Sequence, residues 1–330
     1  MDITRALSIQ PGEIVALTGG GGKTTLMFRL AREGVAAGRR VVTTMTTRIF
    51  ANQAAQAPAA LVVHDESALL VGLPATLAEH GTALVLGDAA VEADKVAGVS
   101  PALVDRIAAL PVVDLVVVEA DGSRRLPFKA PAEHEPLIAP GTTLVVPMAG
   151  LDVVGRSLGP ENVHRPERVA RLAGAALGEP VTPAIVARVL AHPQGGAART
   201  PPIARLVPFL NKADDEQALA AGRETARLLL AAPRVDSVAI GALAAADPVI
   251  EVWSRVAAVV LAAGAGRRFG ALKQALPWQG VPLVAHVAGQ ALACPDLAGV
   301  AVTLGAGRAQ VQAALAGLPA ELVMVPDWEA

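Results

Sequence analysis

The sequence predicts an α/β fold in which helices flank a parallel sheet. Short β-branched runs alternate with Ala- and Leu-rich stretches of helical period, as in strands joined by crossover helices. Hydrophobic residues make up 53% of the 330-residue chain, enough for a sizeable core and for two domains. A glycine-rich stretch lies between the first predicted strand and the following helix, where phosphate-binding loops occur.

The elements can be placed in order along the chain. Strands are predicted near residues 13–18, 40–45, 60–64, 82–86, 112–119, 142–147, 204–210 and 235–240. Helices are predicted over residues 23–37, 66–79, 101–110, 166–177, 182–191 and 216–231. A new strand and glycine turn begin at AAVVLAAGAGRRFG, so we expect a boundary near 250–255 between a domain at 1–250 and a second at 255–330.

The composition argues against several classes of function. The net charge is −2 with no basic block, so neither nucleic acid nor a membrane is expected as a partner. Tyrosine is absent and aromatic residues are 2% of the chain, too few for a base-stacking surface. Cys294 is the only cysteine, which argues against a disulfide framework or a cysteine metal cluster. With neither a secretion signal nor a membrane-length apolar run, we expect a cytoplasmic protein.

The stretch LTGGGGKTTL at 17–26 predicts a phosphate cradle. Consecutive glycines before a helix let backbone N–H groups converge on a phosphate, while Lys23 reaches the outer phosphates and the Thr24 hydroxyl binds Mg²⁺. Leu17 stands where the usual P-loop has glycine, but the variant GGxGKT fits; a flexible turn is the alternative. The predicted nucleotide-binding residues are Gly19, Gly20, Gly21, Gly22, Lys23, Thr24 and Thr25.

Carboxylates follow the apolar strand in VVDLVVVEADGS. A P-loop protein needs a carboxylate at a neighbouring strand end to hold Mg²⁺ or its water shell. Either Glu119 or Asp121 can serve, so both are predicted to bind the metal and to act in catalysis. Lys23 is a further predicted catalytic residue, and Thr24 a further predicted metal ligand. A polar strand end without a function is the alternative.

Two further stretches at strand ends suggest nucleotide recognition. In FLNKAD, the set Asn211, Lys212 and Asp214 is similar to the NKxD guanine-specificity element of GTPases. The alternative is that Asp214 or Asp215 caps the next helix. The choice between ATP and GTP stays open. TTMTTR, residues 43–48, is either a phosphate-sensing switch or an ordinary Thr-rich loop.

A family resemblance rests on GGGGKTT, TTMTTRIF, EADGSRRLPFKAP, ENVHRPERVARLAG and FLNKAD, in that order over about residues 5–250. Together they resemble the selenium-dependent hydroxylase accessory family, YqeC-like P-loop proteins associated with maturation of molybdenum hydroxylases. The resemblance implies that Lys23, Thr24, Glu119 and Asp121 serve a nucleotide site. It also implies neighbouring basic groups, for which a solvated surface is the alternative: Arg124, Arg125, Lys129, His164 and Arg165.

The second glycine stretch, VVLAAGAGRRFGALKQALPWQGVPLVAH, lacks GK[ST]. It resembles the LAAGxSxRMGxxK signature of MobA-like nucleotidyltransferases, and KQALPW is closest to molybdenum cofactor cytidylyltransferase, which joins CTP to molybdopterin. The resemblance implies the front portion of a Rossmann-like transferase domain, with Lys273 catalytic. The residues it implies for binding the triphosphate are Gly264, Gly266, Arg268 and Lys273.

Such transferases carry metal-binding carboxylates and an acceptor half beyond the stretch that VPDWEA resembles, so we expect an incomplete transferase domain. The predicted function is a nucleotide-binding accessory factor in molybdenum cofactor processing, with Mg²⁺-dependent hydrolysis of ATP or GTP and a molybdenum hydroxylase as client. One alternative is a cytidylyltransferase that needs a complementing part. Another is a non-enzymatic, nucleotide-gated carrier or docking module.

Overall fold

The computed structural model describes residues 1–47, 49–50, 57–87, 90–92, 95–294 and 297–327. It forms two compact units, Met1–Trp253 and Ser254–Ala330, called here the first and second units. Arg48, part of the TTMTTR stretch, lies outside the described residues, as do the side chains of residues 49–50.

The strands of the first unit are β1 (Glu13–Gly19), β2 (Val41–Met45), β3 (Ile49–Phe50), β4 (Ala60–Val62), β5 (Thr82–Leu86), β6 (Ala90–Glu92), β7 (Lys95–Val96), β8 (Leu115–Glu119), β9 (Phe128–Lys129), β10 (Leu144–Gly150), β11 (Val163–His164), β12 (Arg205–Leu206), β13 (Phe209–Asn211), β14 (Ser237–Gly241) and β15 (Val249–Ser254). Its helices are α1 (Ile3–Ala6), α2 (Lys23–Ala36), α3 (Glu66–His80), α4 (Pro101–Ala108), α5 (Pro166–Ala173), α6 (Pro183–Ala191) and α7 (Glu216–Leu230).

The large sheet of the first unit has the strand order β15-β14-β13-β10-β1-β8-β2-β5-β4, with β12 also beside β10. The central strand β1 pairs in parallel with both β10 and β8, and β8 pairs in parallel with β2. This is the predicted α/β architecture with a parallel-dominated sheet. The carboxyl ends of β1, β8, β10 and β13 therefore meet at one edge of the sheet, where ligands bind in folds of this kind.

The inner strands of the sheet, β1, β2, β5, β8 and β10, are buried on both faces, which explains their continuous apolar runs. Successive residues of β1 point to opposite faces, so Val15 and Leu17 pack with Leu26 and Leu30 of α2. Ile14 lies in the cluster on the other face with helix α4, and Ala16 in a third cluster with α6 and α7. This packing fixes β1 and α2, which flank the glycine-rich turn.

One predicted strand is wrong in extent. The sequence predicts a single strand over 204–210, but the structure contains two short strands, β12 and β13, separated by Val207 and Pro208. Proline lacks the N–H that a ladder requires, so an uninterrupted strand is disfavoured there. The short strands β9 and β11, which pair in parallel, were not predicted because two residues carry no periodicity.

The second unit contains β16 (Val256–Val260), β17 (Pro277–Trp278), β18 (Val281–Pro282), β19 (Leu297–Leu304) and β20 (Glu321–Met324), with helices α8 (Leu283–Leu292) and α9 (Arg308–Ala314). Strands β16, β19 and β20 form a parallel sheet in that order. Its core gathers Val284 and Ala288 of α8 against Val300 and Val302 of β19.

Candidate functional site

The candidate site lies along the carboxyl edge of the large sheet. An open cavity of about 1120 Å³ is lined there by residues that follow β1, β8, β13 and β14. Of the residues predicted for the first unit, those in this wall are Gly21, Gly22, Lys23, Thr24, Thr25, Glu119, Arg124, Arg125, His164, Arg165, Asn211, Lys212 and Asp214. Gly19, Gly20, Asp121 and Lys129 do not line the cavity and lie behind it.

The first glycine loop, residues 19–22, is a tight turn between β1 and α2. A Cβ at Gly20 would approach the Leu126 carbonyl oxygen to 2.6 Å, and one at Gly22 would approach Nδ2 of Asn211 to 2.5 Å. Gly22 also has φ +132°, a conformation that side chains disfavour. The turn therefore requires glycine, and it places the free N–H groups of the start of α2 at the cavity.

Lys23 is the first residue of α2, and it is only 3% exposed. Its Nζ donates a 2.6 Å hydrogen bond to the Gly19 carbonyl and lies 3.3 Å from Oδ1 of Asp121 and 3.7 Å from Oε1 of Glu119. A buried ammonium requires such partners. The charge of Lys23 is thus held inside the glycine loop at the cavity wall.

Glu119 and Asp121 occupy different environments. Oε2 of Glu119 accepts a 2.8 Å hydrogen bond from the Thr24 hydroxyl, and Glu119 lines the cavity. Asp121 is 1% exposed; its Oδ2 accepts from the Gly19 N–H at 3.0 Å and lies 3.1 Å from Lys129 Nζ. The geometry therefore separates two carboxylates that the sequence leaves equivalent: Glu119 faces the cavity, and Asp121 is a buried anion between lysines.

The buried charges continue away from the glycine loop. Lys129 Nζ donates to Oε2 of Glu135 at 2.8 Å and to the Gly122 carbonyl at 2.7 Å. Arg165 then binds Glu135 with two N–H groups, at 2.8 and 3.1 Å. Burial opposes ionisation of Glu135, but the hydrogen bond from Arg165 and the charge of Lys129 outweigh it and lower its pKa to about 2. The carboxylate is thus ionised at neutral pH.

His164 ends β11 beside this chain of charges. Burial and the positive charges of Arg165, Lys129 and Arg124 lower the pKa of His164 to about 4, against the opposing effect of Glu135. The imidazole is therefore neutral at pH 7. Arg124, Arg125 and Arg165 all have positive φ, at 52°, 63° and 62°, a conformation uncommon for residues other than glycine.

The NKAD segment contacts the first glycine loop through Asn211. Asn211 is buried; its Nδ2 donates to the Gly21 carbonyl at 2.6 Å and its Oδ1 accepts from the Leu243 N–H at 2.9 Å. Lys212 pairs with Asp152 at 2.7 Å. Asp215 is the N-cap of α7 and accepts from Ala218, whereas Asp214 is exposed at the cavity. Capping by Asp214, one of the alternatives, is therefore wrong.

The threonines of the TTMTTR stretch are largely structural. Thr44 donates to the Val85 carbonyl at 2.7 Å and Thr46 to the Leu137 carbonyl at 2.7 Å, and Thr43 makes a longer bond to Ala83. Within the described part of this stretch, Thr47 alone lines the cavity. Thr47 is therefore the remaining candidate for a phosphate-sensing residue in the described part of this stretch.

Two carboxylates that line the cavity were not predicted from the sequence, Glu135 and Asp152. Glu135 follows the KAP segment, and its cations lie six residues before it and thirty after it. Asp152 follows β10, a strand with no recognisable motif. The position of Asp152 just after a parallel strand was the only signal, since functional side chains gather at such ends.

The second unit holds the other predicted loop. Gln274 is buried and donates from Nε2 to the carbonyls of Ala262 at 3.0 Å and Gly264 at 2.6 Å, fixing the turn after β16. Gly266 has φ +63°, and Arg268 and Lys273 are exposed. The structure thus brings Gly264, Gly266 and Lys273 into one turn through the neighbouring Gln274.

Comparison with known proteins identifies the family. The family model described as "YqeC protein" matches residues 15–167. The uncharacterized protein YqeC of Escherichia coli (strain K12) is 32% identical over 203 residues, covering 60% of this chain and 75% of that protein. The chain belongs to the YqeC family. The matched region of the YqeC model includes the first glycine loop, Glu119, Glu135 and His164, whereas the NKAD segment lies beyond it.

The second unit adds a different domain to this YqeC chain. Residues 258–330 match the family model of the MobA-like NTP transferase domain. Gly264, Gly266, Arg268 and Lys273 all fall in the matched region. The chain thus combines a YqeC domain with a MobA-like domain, as the sequence resemblances imply.

No group of three or more His, Cys, Asp or Glu side chains is arranged to hold a metal ion within the described ranges. Among the helices that the structure describes, none is both long enough and apolar enough to cross a bilayer.

Proposed function

We propose that the first unit binds a nucleoside triphosphate at the first glycine loop and hydrolyses it with Mg²⁺. The observation that carries this proposal is the hydrogen bond between the Thr24 hydroxyl and Glu119, at the point where Lys23 begins α2. Backbone N–H groups, a lysine, a hydroxyl and a carboxylate meet there, which is the group set of P-loop hydrolases.

The oxygen ligands at the loop fit Mg²⁺. The Thr24 hydroxyl and the Glu119 carboxylate are the kind of hard ligands that Mg²⁺ prefers, and both line an open cavity that leaves space for its water ligands. Bound there, the ion supplies charge neutralisation to the phosphates. Lys23 adds a positive charge whose effect grows as the transferring phosphoryl group develops negative charge.

The NKAD segment supports a preference for guanine. Asn211 ties the glycine loop to the loop after β14, so the base and phosphate sites are held together. Because Asp215 caps α7, the Asp214 carboxylate remains available at the cavity wall to accept hydrogen bonds from guanine N1 and N2. We therefore propose GTP rather than ATP.

The cellular role we propose is in molybdenum cofactor processing, as an accessory factor for a molybdenum hydroxylase client. The pairing of the YqeC domain with a MobA-like domain in one chain supports this, since the MobA-like domain indicates nucleotide chemistry of the molybdenum cofactor. A cytidylyltransferase activity of the second unit, with CTP and molybdopterin, is a second candidate, favoured by the turn that Gln274 holds.

The test is a nucleotide panel on the full chain with Mg²⁺. We expect phosphate release from GTP faster than from ATP, and faster still with molybdopterin cofactor present. Binding of GTP with no turnover under either condition would favour a carrier or docking module instead. Release of pyrophosphate from CTP that is lost in Lys273→Ala but kept in Arg267→Ala, its neighbour on the same turn, would establish the second candidate.

A further inference from the structure

The cavity contains a wall that the proposed nucleotide site does not use. This wall, called here the basic wall, is formed by Arg124, His164 and Arg165, all of which line the same cavity as Lys23 and Asp214. It comes from the loop after β8 and from the paired strands β9 and β11. These elements lie outside the large sheet.

The basic wall carries an excess of positive charge. Arg124 and Arg165 are its cations, and Lys129 lies directly behind it, within hydrogen-bonding distance of Glu135. Among the described residues, the carboxylates paired with Lys129 and Arg165 are Asp121 and Glu135, and Asp121 is also shared with Lys23. Burial, followed by the positive charges of Arg165, Lys129 and Arg124, lowers the pKa of His164, so the cations of this region disfavour protonation of the ring.

Hydrogen-bond donors remain available in this wall. Arg165 carries five N–H donors. Three of them bind Glu135 and the Ala130 carbonyl, which leaves two donors without a partner among the described residues. The bidentate pair with Glu135 also fixes the guanidinium plane, so little freedom is lost on binding. Neutral His164 offers one more N–H, and Arg124 is exposed at the cavity.

We propose that the basic wall binds the tetrahedral oxyanion of a second small-molecule substrate, next to the nucleotide. The proposal deepens the proposed function, since it assigns the remaining part of the cavity to a partner molecule of the nucleotide. A phosphate-type anion matches the wall in charge, and a planar, fixed guanidinium is suited to such oxyanions. The neutral imidazole donates to the anion without adding a charge that the neighbouring arginines would repel.

The experiment uses inorganic phosphate as the probe on the full chain saturated with Mg²⁺ and a non-hydrolysable GTP analogue. Calorimetry measures phosphate affinity, and NMR of the His164 imidazole, assigned with His164→Gln, follows its titration. We expect phosphate to bind and to raise the pKa of His164 from about 4, because an anion there favours the protonated ring. Arg124→Gln should weaken phosphate binding by about tenfold while leaving analogue affinity unchanged.

Arg199→Gln is the matched control, since Arg199 is also exposed and also has positive φ, at 55°, but lies outside the cavity. It should leave phosphate binding unchanged. Phosphate binding that is equal in wild type and Arg124→Gln, with a stationary His164 titration, would overturn the proposal.

If the analogue itself does not bind, the proposed nucleotide function fails, and the titration of the nucleotide-free chain decides this inference alone. The glycine loop then offers phosphate a second site, but only the basic wall depends on Arg124 and moves the His164 titration. An Arg124-dependent rise in the pKa of His164 supports the wall, and its absence overturns it.

Discussion

The Thr24 hydroxyl donates a 2.8 Å hydrogen bond to Oε2 of Glu119, joining the first turn of α2 to the end of β8. The two residues meet because β1, which leads into α2, and β8, which ends at Glu119, are adjacent and parallel. The contact distinguishes Glu119 from Asp121, whose oxygens face Gly19 and the two lysines. We therefore expect substitution of Glu119 to affect mainly turnover and substitution of Asp121 to affect mainly stability.

Glu119→Gln should reduce turnover with little effect on folding. The substitution keeps the shape and the acceptor for Thr24 but removes a charge at the proposed Mg²⁺ site. We expect phosphate release to fall by about a hundredfold, the scale of losing one electrostatic contribution to a transition state. The melting temperature should fall less than in Asp121→Asn, because Lys23 keeps Asp121, its nearer carboxylate. A steady-state phosphate-release assay and thermal denaturation measure the two effects. Full activity in Glu119→Gln would exclude this carboxylate from the site.

Asp121→Asn should instead destabilise the fold. Lys23 and Lys129 are both nearly fully buried, and Asp121 is a carboxylate that they share. Removing one partner of a buried ion pair leaves an uncompensated charge, at a cost of about 3 kcal/mol. Urea denaturation followed by circular dichroism measures the loss. A free energy of unfolding equal to that of wild type would show that the buried lysines do not depend on Asp121.

Asp214→Asn should change the base preference of the first unit. If the carboxylate accepts from guanine N1 and N2, the amide loses GTP affinity by about tenfold or more and gains affinity for XTP, whose C2 carbonyl can accept from it. Binding of GTP, ATP and XTP to wild type and variant is compared by calorimetry. Asp215→Asn is the control, because asparagine caps a helix as well as aspartate does. Preference for ATP in wild type would reject the guanine assignment.

The stability of the chain should depend on pH in two separate windows. Glu135 has a pKa near 2, below the ordinary 4.5, so its contribution is present above pH 4.5 and is lost as the pH falls toward 2. His164 has a pKa near 4, below the ordinary 6.5. As the pH falls from 6.5 to 4, this imidazole is protonated in the unfolded chain but not in the folded one, so the folded state loses stability over that range.

Substitutions separate these windows. Glu135→Gln should flatten the loss of stability below pH 4.5, and His164→Gln the loss between pH 6.5 and 4, both followed by thermal denaturation across the pH range. Arg223→Gln is not a suitable control for these two variants. Arg223 lowers the pKa of Glu251, so its removal would itself change how stability depends on pH. An unaltered pH profile in both variants would contradict the assigned causes of the two shifts.

The positions of the periodic helices and strands could be predicted from the sequence, and so could the glycine loop between the first strand and the next helix. The strands β1, β2, β5 and β8 begin and end within a few residues of their predicted limits, because both faces of the sheet are buried and the runs are continuously apolar. The chain of charges from Lys23 to Arg165 could not be predicted, since its members are far apart in sequence and meet only in the folded sheet.

Asn211 illustrates the same limit. Its sequence context suggests contact with a base, yet its amide is committed to Gly21 and Leu243. The sequence also predicts that Gly22→Val abolishes binding by filling the space for phosphate. The structure adds a further reason, since a Cβ at Gly22 would approach Asn211 Nδ2 to 2.5 Å. That substitution would disturb the loop itself, so the lysine is the cleaner probe.

The most direct test of the nucleotide site is Lys23→Ala, measured by calorimetry with a non-hydrolysable GTP analogue and by phosphate release from GTP. The backbone N–H groups of the loop remain, so affinity should fall modestly, by about tenfold, whereas kcat should fall by about a thousandfold because the lysine acts most on the developing charge. Arg32→Ala, which removes an exposed charge from the same helix, should change neither. Turnover in Lys23→Ala equal to that of Arg32→Ala would contradict the assignment of the loop as a phosphate site.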